Sequence, residues 1–268
     1  MKIDQLFGVK DQVAVVTGAG SGLGLAMAEG MAENGARVLM IDIDPKTLEA
    51  AAAPLRSAGC KVETAALDVA DTAALRGAID SMAVRHGRLD TVFANAGMSS
   101  GPGYGLKAGK TAGLLENVSP DTWERVLQVN LTAVLETMRS AVAHMKPRRR
   151  GRIVVTASIA GIRAETICGY PYVATKAAVI NIVRQAAVEL APHNVLVNAI
   201  APGVFLTNIA GGKLKTDPAV REEFLGLIPM GRIADANEIQ GLALFLASPA
   251  SSYLTGQVIA IDGGITAA

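Results

Sequence analysis

Val13 to Thr17 is the first of seven short aliphatic runs that alternate with longer segments of helical periodicity rich in Ala, Leu, Glu and Arg. The others are Arg37 to Ile41, Lys61 to Leu67, Leu89 to Ala94, Arg152 to Thr156, Val195 to Ile200 and Gln257 to Ile261. Strands separated by helices pair in parallel through right-handed crossovers, so this alternation constrains the chain to an α/β fold. Parallel strands are covered on both faces and read as continuous apolar runs. Half of the 268 residues are hydrophobic but only 4% are aromatic, which suits a core of Ala, Val, Leu and Ile built this way. The pattern predicts one doubly wound parallel sheet of seven strands flanked by helices on both faces. No linker, repeat or composition shift divides residues 1–268, so a single domain is expected. Two irregular stretches, 98–119 and 204–231, follow strand ends on the side where open α/β sheets bind ligands. They are expected to wall or cover a pocket; a mobile surface insertion is the alternative for the first.

Charge and composition exclude several classes. A net charge of +1 provides no field to draw in nucleic acid or an anionic membrane. The charge-free stretches Leu190 to Gly212 and Ile239 to Ile261 are interrupted by Pro, Gly and polar residues, which a bilayer span does not tolerate so densely. The opening residues MKIDQLFGVKDQ lack the apolar core of a signal peptide, and a cytoplasmic location is expected. Cys60 and Cys168 have no metal-type spacing, nor do His86, His144 and His193, so no metal site is expected. The basic run from Lys146 to Arg152 has no interleaved aromatics and reads as a solvated turn.

The first strand runs straight into Gly18-Ala19-Gly20-Ser21-Gly22-Leu23-Gly24 and then a helical segment. A phosphate bound there needs free N–H groups at a helix start and backbone without obstructing Cβ atoms. Glycines at 18, 22 and 24 suit the tight turn, the close approach and the strand–helix packing, and point to a dinucleotide. The second strand ends at Asp42, eighteen residues beyond Gly24. A carboxylate there accepts hydrogen bonds from ribose hydroxyls and repels the additional phosphate of NADP. No Arg or Lys stands at Ser21, Ile43 or Asp44, so NAD is the expected cofactor. Asp44 reads as a cap for the helix opening at Pro45.

Further motifs follow in order: Asn95-Ala96-Gly97, Val129-Asn130-Leu131, Ala157-Ser158-Ile159, Tyr172-Val173-Ala174-Thr175-Lys176, and Pro202-Gly203 with Thr207. Together with Thr17 to Gly24, this set resembles the short-chain dehydrogenase/reductase family over essentially the whole chain, through Asp262-Gly263-Gly264. The resemblance implies a Rossmann-type sheet and hydride transfer between NAD(H) and a small-molecule secondary alcohol or ketone. It implies Asn130, Ser158, Tyr172 and Lys176 as catalytic residues. It implies cofactor contacts at Gly18, Ser21, Gly22, Leu23, Gly24, Asp42, Asp68, Val69, Asn95, Ala96, Gly97, Tyr172, Lys176, Pro202, Gly203 and Thr207. Asp68, in Leu67-Asp68-Val69, resembles the residue that contacts adenine; a helix cap is its alternative. Thr207 is read as holding the nicotinamide carboxamide or as a turn residue.

The chemistry is also arguable without the family. Hydride transfer at a carbonyl carbon requires an acid for the developing alkoxide, and the reverse requires a base. Tyrosine, with a pKa of about 10 in water, is a poor base near neutrality. A lysine at i+4 lies on the same helix face, and its charge, with that of oxidised nicotinamide, would stabilise tyrosinate and lower that pKa. Tyr170 has Ala174 at that place and is set aside. Ser158 follows a strand and can donate to the reacting oxygen. The family adds that Lys176 hydrogen-bonds the nicotinamide ribose and that Asn130 anchors a relay water. An exposed helix pair for Tyr172 and Lys176, a strand-end turn for Ser158 and backbone bonding for Asn130 are the bland alternatives.

Two departures stand out. Fourteen residues separate Ser158 from Tyr172, one more than the commonest family spacing, and the 98–119 stretch is longer than in many members. Its Gly101, Gly103, Gly105 and Gly109 suggest mobility. Leu106, Leu114, Leu115, Ile167, Phe205, Leu206 and Ile209 are candidates for an apolar pocket. The C-terminal match and the helix near Tyr172 resemble surfaces that form homotetramers. The rival functions are an NADP-dependent ketoacyl-type reductase and a non-catalytic NAD-binding regulator.

Overall fold

The computed structural model describes residues 2–268. Its main sheet consists of β1 (Val13–Thr17), β2 (Arg37–Asp42), β3 (Lys61–Ala66), β4 (Thr91–Ala94), β5 (Gly151–Thr156), β6 (Val195–Pro202) and β7 (Val258–Ile261). All neighbours are parallel, in the order β3-β2-β1-β4-β5-β6-β7. The seven expected strands are therefore present, each within two residues of its expected bounds. Connections run outward to β2 on one side of β1 and to β4 on the other, so the switch point and its crevice lie above the C-terminal ends of β1 and β4.

Both faces of the sheet are covered. The helices are α1 (Gly22–Glu33), α2 (Pro45–Ser57), α3 (Thr72–His86), α4 (Pro120–Leu127), α5 (Ala133–Arg148), α6 (Tyr170–Leu190), α7 (Pro218–Leu225) and α8 (Gln240–Ala247). Successive strand residues point to opposite faces. Val13 and Val15 pack with residues of α3, α5 and α6, such as Ile79, Met138 and Val183. Ala14 and Val16 pack with residues of α1, α2 and α8, such as Met27, Leu48 and Leu246. Burial on both sides is why β1 is apolar from Val13 to Val16. Among the described residues, no helix is long and apolar enough to cross a membrane.

Local signals set the helix starts. The Asp44 carboxylate accepts from Lys46 N at 3.0 Å ahead of α2, whose first residue is Pro45. Asp71 accepts from Ala74 N at 3.0 Å at the start of α3. Between α4 and α5 the chain opens into a π-helical turn, Gln128–Thr132.

Of the glycines in the first irregular stretch, Gly103, Gly105 and Gly109 sit in close packing. Gly103 N donates to Ile167 O at 3.0 Å and Gly105 N to Thr166 O at 2.8 Å, pinning this stretch to the segment ahead of α6. A Cβ on Gly103 would stand 2.2 Å from Thr166 O, and one on Gly109 would stand 2.0 Å from Gly103 O. Only Gly101, with φ +92° and nothing near its missing Cβ, is glycine for its conformation alone. The second stretch contains α7, a short helical turn at Lys213–Thr216, and a parallel pairing of Phe205–Leu206 with Ala234–Asp235.

A buried carboxylate closes the opposite end of the sheet. Asp90, 3% exposed, accepts from Val13 N at 2.9 Å and from Arg88 Nε at 2.7 Å. Replacing it by Ala strands the N–H that begins β1, together with a half-exposed guanidinium. Asp90→Ala is expected to lower stability by about 2 kcal/mol, read as a reduced urea midpoint at unchanged slope.

Candidate active site

The turn after β1 is shaped by contacts with the rest of the sheet. Gly18 (φ +68°) and Gly22 (φ +57°) adopt left-handed conformations that side chains disfavour. Gly24 lies so close to the turn that a Cβ would stand 2.0 Å from Gly18 O and 2.5 Å from Asn95 Nδ2. A Cβ on Gly22 would meet Thr207 Cβ at 3.2 Å, so Thr207 closes over the start of α1. Ser21 precedes the helix and Gly22 opens it. At the tip of β2, Asp42 Oδ2 accepts from Gly20 N at 2.9 Å, which fixes the carboxylate at the rim of the turn.

Four candidate reacting groups come together beside this turn. Ser158 follows β5, and its Oγ accepts from Ala160 N at 3.1 Å, leaving its own proton free to donate. Gly161 lets this serine turn sit on α6: a Cβ there would be 2.4 Å from Lys176 O. Tyr172 and Lys176 share one face of α6, with Lys176 Nζ 5.5 Å from the tyrosine ring centre. The ammonium is buried and donates to Thr156 O at 2.7 Å. Asn130, buried in the π-helical turn, donates to Met98 O at 2.9 Å and accepts from Met98 N at 2.8 Å. Gly97 lies between them: its missing Cβ would be 3.4 Å from Asn130 Oδ1 and 3.7 Å from Lys176 Nζ.

Burial dominates the electrostatics. It pushes Tyr172 well above the ordinary tyrosine value, and hydrogen bonding with Ser158 opposes this. It pushes Lys176 down to about 8. The expected lowering of Tyr172 joined the charge of Lys176 to that of oxidised nicotinamide, and in the chain alone burial outweighs it. Cys168 is itself pushed up to about 12 by burial and by Glu165.

One cavity of about 830 Å³ is lined by Gly18, Ser21 to Gly24, Asp42, Asn95 to Gly97, Ser158, Tyr172, Lys176, Pro202, Gly203 and Thr207. Asp68 and Val69 are not among its lining residues. The Asp68 carboxylate accepts from Ala70 N at 2.9 Å and from Arg125 Nη2 at 2.8 Å. Of the apolar candidates, Leu106, Ile167, Phe205 and Ile209 line the cavity and Leu114, Leu115 and Leu206 do not. Leu115 lies exposed to solvent. Leu206 follows Phe205 in an extended pair, so the two side chains point opposite ways. Lining residues that the sequence pattern did not single out include Glu165, Cys168, Leu214 and Phe224. They come from segments without periodicity, and only the packed loops bring them to the wall.

Comparison with known proteins agrees with this geometry. The family model described as enoyl-(acyl carrier protein) reductase matches residues 18–266. Gluconate 5-dehydrogenase of Gluconobacter oxydans is 33% identical over 99% of both chains. Cis-4-hydroxycyclohexanecarboxylate dehydrogenase of Sinomonas cyclohexanicum is 36% identical over 96% of this chain and 97% of that one. The crystal structure of a gluconate 5-dehydrogenase from Burkholderia cenocepacia, in complex with NADP and tartrate, is 32% identical over 98% of both chains, with a TM-score of 0.87. The chain belongs to the short-chain dehydrogenase/reductase family. It is an oxidoreductase that moves hydride between a nicotinamide dinucleotide and an alcohol or ketone.

The burial of Lys176 has a measurable signature. Its value falls from 10.5 to about 8 on folding, so between those limits the unfolded chain binds the extra proton and stability rises with pH. From pH 8 to pH 10, ligand-free wild type is expected to gain about 2 kcal/mol relative to Lys176→Met in urea titrations.

Proposed function

We propose that the chain transfers hydride between NAD(H) and a secondary alcohol or ketone, with Tyr172 as general acid/base. The observation that carries this reading is the convergence of Tyr172, Ser158 and Lys176 on the cavity that the glycine turn also lines. The turn suits a dinucleotide, because Cβ atoms on Gly18, Gly22 or Gly24 would crowd it. A bound nicotinamide would supply the hydride acceptor or donor and, when oxidised, a positive charge. In alcohol oxidation, the carbinol carbon gives up hydride with its electron pair, and Tyr172 Oη takes the hydroxyl proton. In ketone reduction the same proton returns to the developing alkoxide. Ser158 donates to the reacting oxygen as its charge changes. Lys176 opposes the burial penalty on tyrosinate and binds the ribose, and Asn130 holds the relay that returns the proton to solvent.

Asp42 supports NAD over NADP, since its carboxylate faces the cavity where an adenosine 2′-phosphate would need a cation. This also argues against the NADP-dependent ketoacyl reading, and the complete set of reacting groups argues against a non-catalytic regulator. The protein works as a single domain, in the cytoplasm, with 98–119 and 204–231 walling a small-molecule pocket. It assembles as a homotetramer through α6 and the β7 edge, where Val188 stands 76% exposed and Tyr253 is fully exposed.

NADH absorbance over a panel of secondary alcohols, with NAD and NADP side by side, tests the reading. Tyr172→Phe is expected to lose about 10³-fold in turnover while still binding NADH. Asp42→Ser is expected to shift the NAD/NADP ratio of kcat/KM toward NADP by tenfold or more, about 1.4 kcal/mol.

A further inference from the structure

Beyond the reacting groups, the cavity walls are mainly apolar, with Leu106, Ile159, Ile167, Phe205, Leu214 and Phe224 among them. One acid is set deep in this lining. The Glu165 side chain is only 7% exposed; of the other charged lining residues, Asp42 belongs to the glycine turn and Lys176 to the reacting groups, while Lys213 and Glu223 are more exposed. Glu223 already faces Lys107 at 4.0 Å. Glu165 Oε1 accepts from Arg163 Nε at 3.0 Å, and Arg163 Nη1 donates in turn to Ile265 O at 2.7 Å. The guanidinium is thereby fixed on the C-terminal segment, and the carboxylate with it. Among the described residues, no donor is hydrogen-bonded to Oε2. Glu165 lines the same cavity as Ser158, Tyr172 and Lys176.

We infer that Glu165 determines specificity, its Oε2 accepting a hydrogen bond from a second, distal hydroxyl on a neutral substrate with a compact apolar body. The inference rests on the hydride-transfer reading and names the class of alcohol within it. Arg163 already balances the charge of the carboxylate, so the remaining oxygen calls for a neutral donor and not a cation. A substrate carboxylate or phosphate at that point would set acceptor against acceptor with no proton between them. A substrate lacking the distal hydroxyl would leave the acceptor dry and unpaired, the situation in which polar pockets discriminate most strongly. The apolar walls then hold the carbon body while the two ends are read by Tyr172 and Glu165.

The test compares 1,4-cyclohexanediol, cyclohexanol and 4-hydroxycyclohexanecarboxylate as substrates of wild type, Glu165→Gln and Glu165→Leu. Their binding is measured in parallel by calorimetry on the NADH-loaded protein. Wild type is expected to favour the diol over cyclohexanol by about tenfold or more in kcat/KM, the size of one hydrogen bond to a charged acceptor. It should disfavour the carboxylate. In Glu165→Leu the diol preference should fall toward one, chiefly through KM, and in Glu165→Gln the carboxylate should gain on the diol. Glu165→Gln keeps an acceptor for Arg163, so a melting temperature near wild type separates this effect from misfolding. A diol preference unchanged in Glu165→Leu, or a wild-type preference for the carboxylate, overturns the inference and leaves hydride transfer standing. Absence of turnover with all three compounds removes the support of the hydride-transfer reading for them, and the ratio of Kd values for diol and cyclohexanol then decides the role of Glu165.

Discussion

The amide of Asn95 ties together three strand ends, and the geometry of the cavity follows from it. Its Nδ2 donates to Thr17 O at 3.0 Å and to Gly18 O at 3.4 Å, and its Oδ1 accepts from Thr156 Oγ1 at 2.9 Å. Its backbone N donates to Thr17 Oγ1 at 3.0 Å. The ends of β1, β4 and β5 are therefore held at one place, and Gly24 has no Cβ because that amide fills the space. Thr156 carries the linkage onward, since its main-chain oxygen receives the Lys176 ammonium. The glycine turn and the Tyr172–Lys176 pair are thus connected through two polar residues. A turn ordered by its own sheet does not have to be ordered again by a ligand, which conserves binding energy.

Close approach does comparable work where the reacting groups meet. Gly161 brings the serine turn onto the backbone of α6, and Gly97 lies against Asn130 and Lys176. The π-helical turn at Gln128–Thr132 holds Asn130 against both polar main-chain atoms of Met98. Such widened turns cost hydrogen-bond quality and recur at functional sites. Here it secures the first residue of the 98–119 stretch as that stretch leaves the glycine-lined part of the cavity.

What could be read from the sequence was what local pattern determines. The strands declared themselves because burial on both faces leaves a run such as Val13 to Val16 wholly apolar. The glycine turn, the Asp42 terminus and the i+4 pairing of Tyr172 with Lys176 followed from spacing along single elements. The fates that escaped were set by partners far along the chain. Asp68 meets Arg125, 57 positions away, a partner that no local pattern announces. The loop glycines face Thr166 and Ile167, and no local rule distinguishes a glycine needed for close approach from one that confers flexibility. Asn95 lines the cavity as its motif implies, but its side-chain bonds to Thr17, Gly18 and Thr156 join residues that no local pattern brings together.

The electrostatics of the cavity bear on when the tyrosine becomes reactive. Desolvation drives Tyr172 toward its neutral form and Lys176 toward its own, so burial disfavours the charged tyrosinate–ammonium pair. Lys176 is held by a main-chain carbonyl, which accepts a hydrogen bond but contributes no full negative charge to keep it protonated. A positive charge placed in the cavity would favour tyrosinate while making the ammonium more costly, moving one proton from the pair toward solvent. Basicity at Tyr172 is therefore conditional on what the cavity holds. Under the proposed reading, the apolar burial that raises the tyrosine would keep it a poor base until a cationic ring system is in place. The same burial makes each electrostatic interaction with that ring stronger than it would be in water.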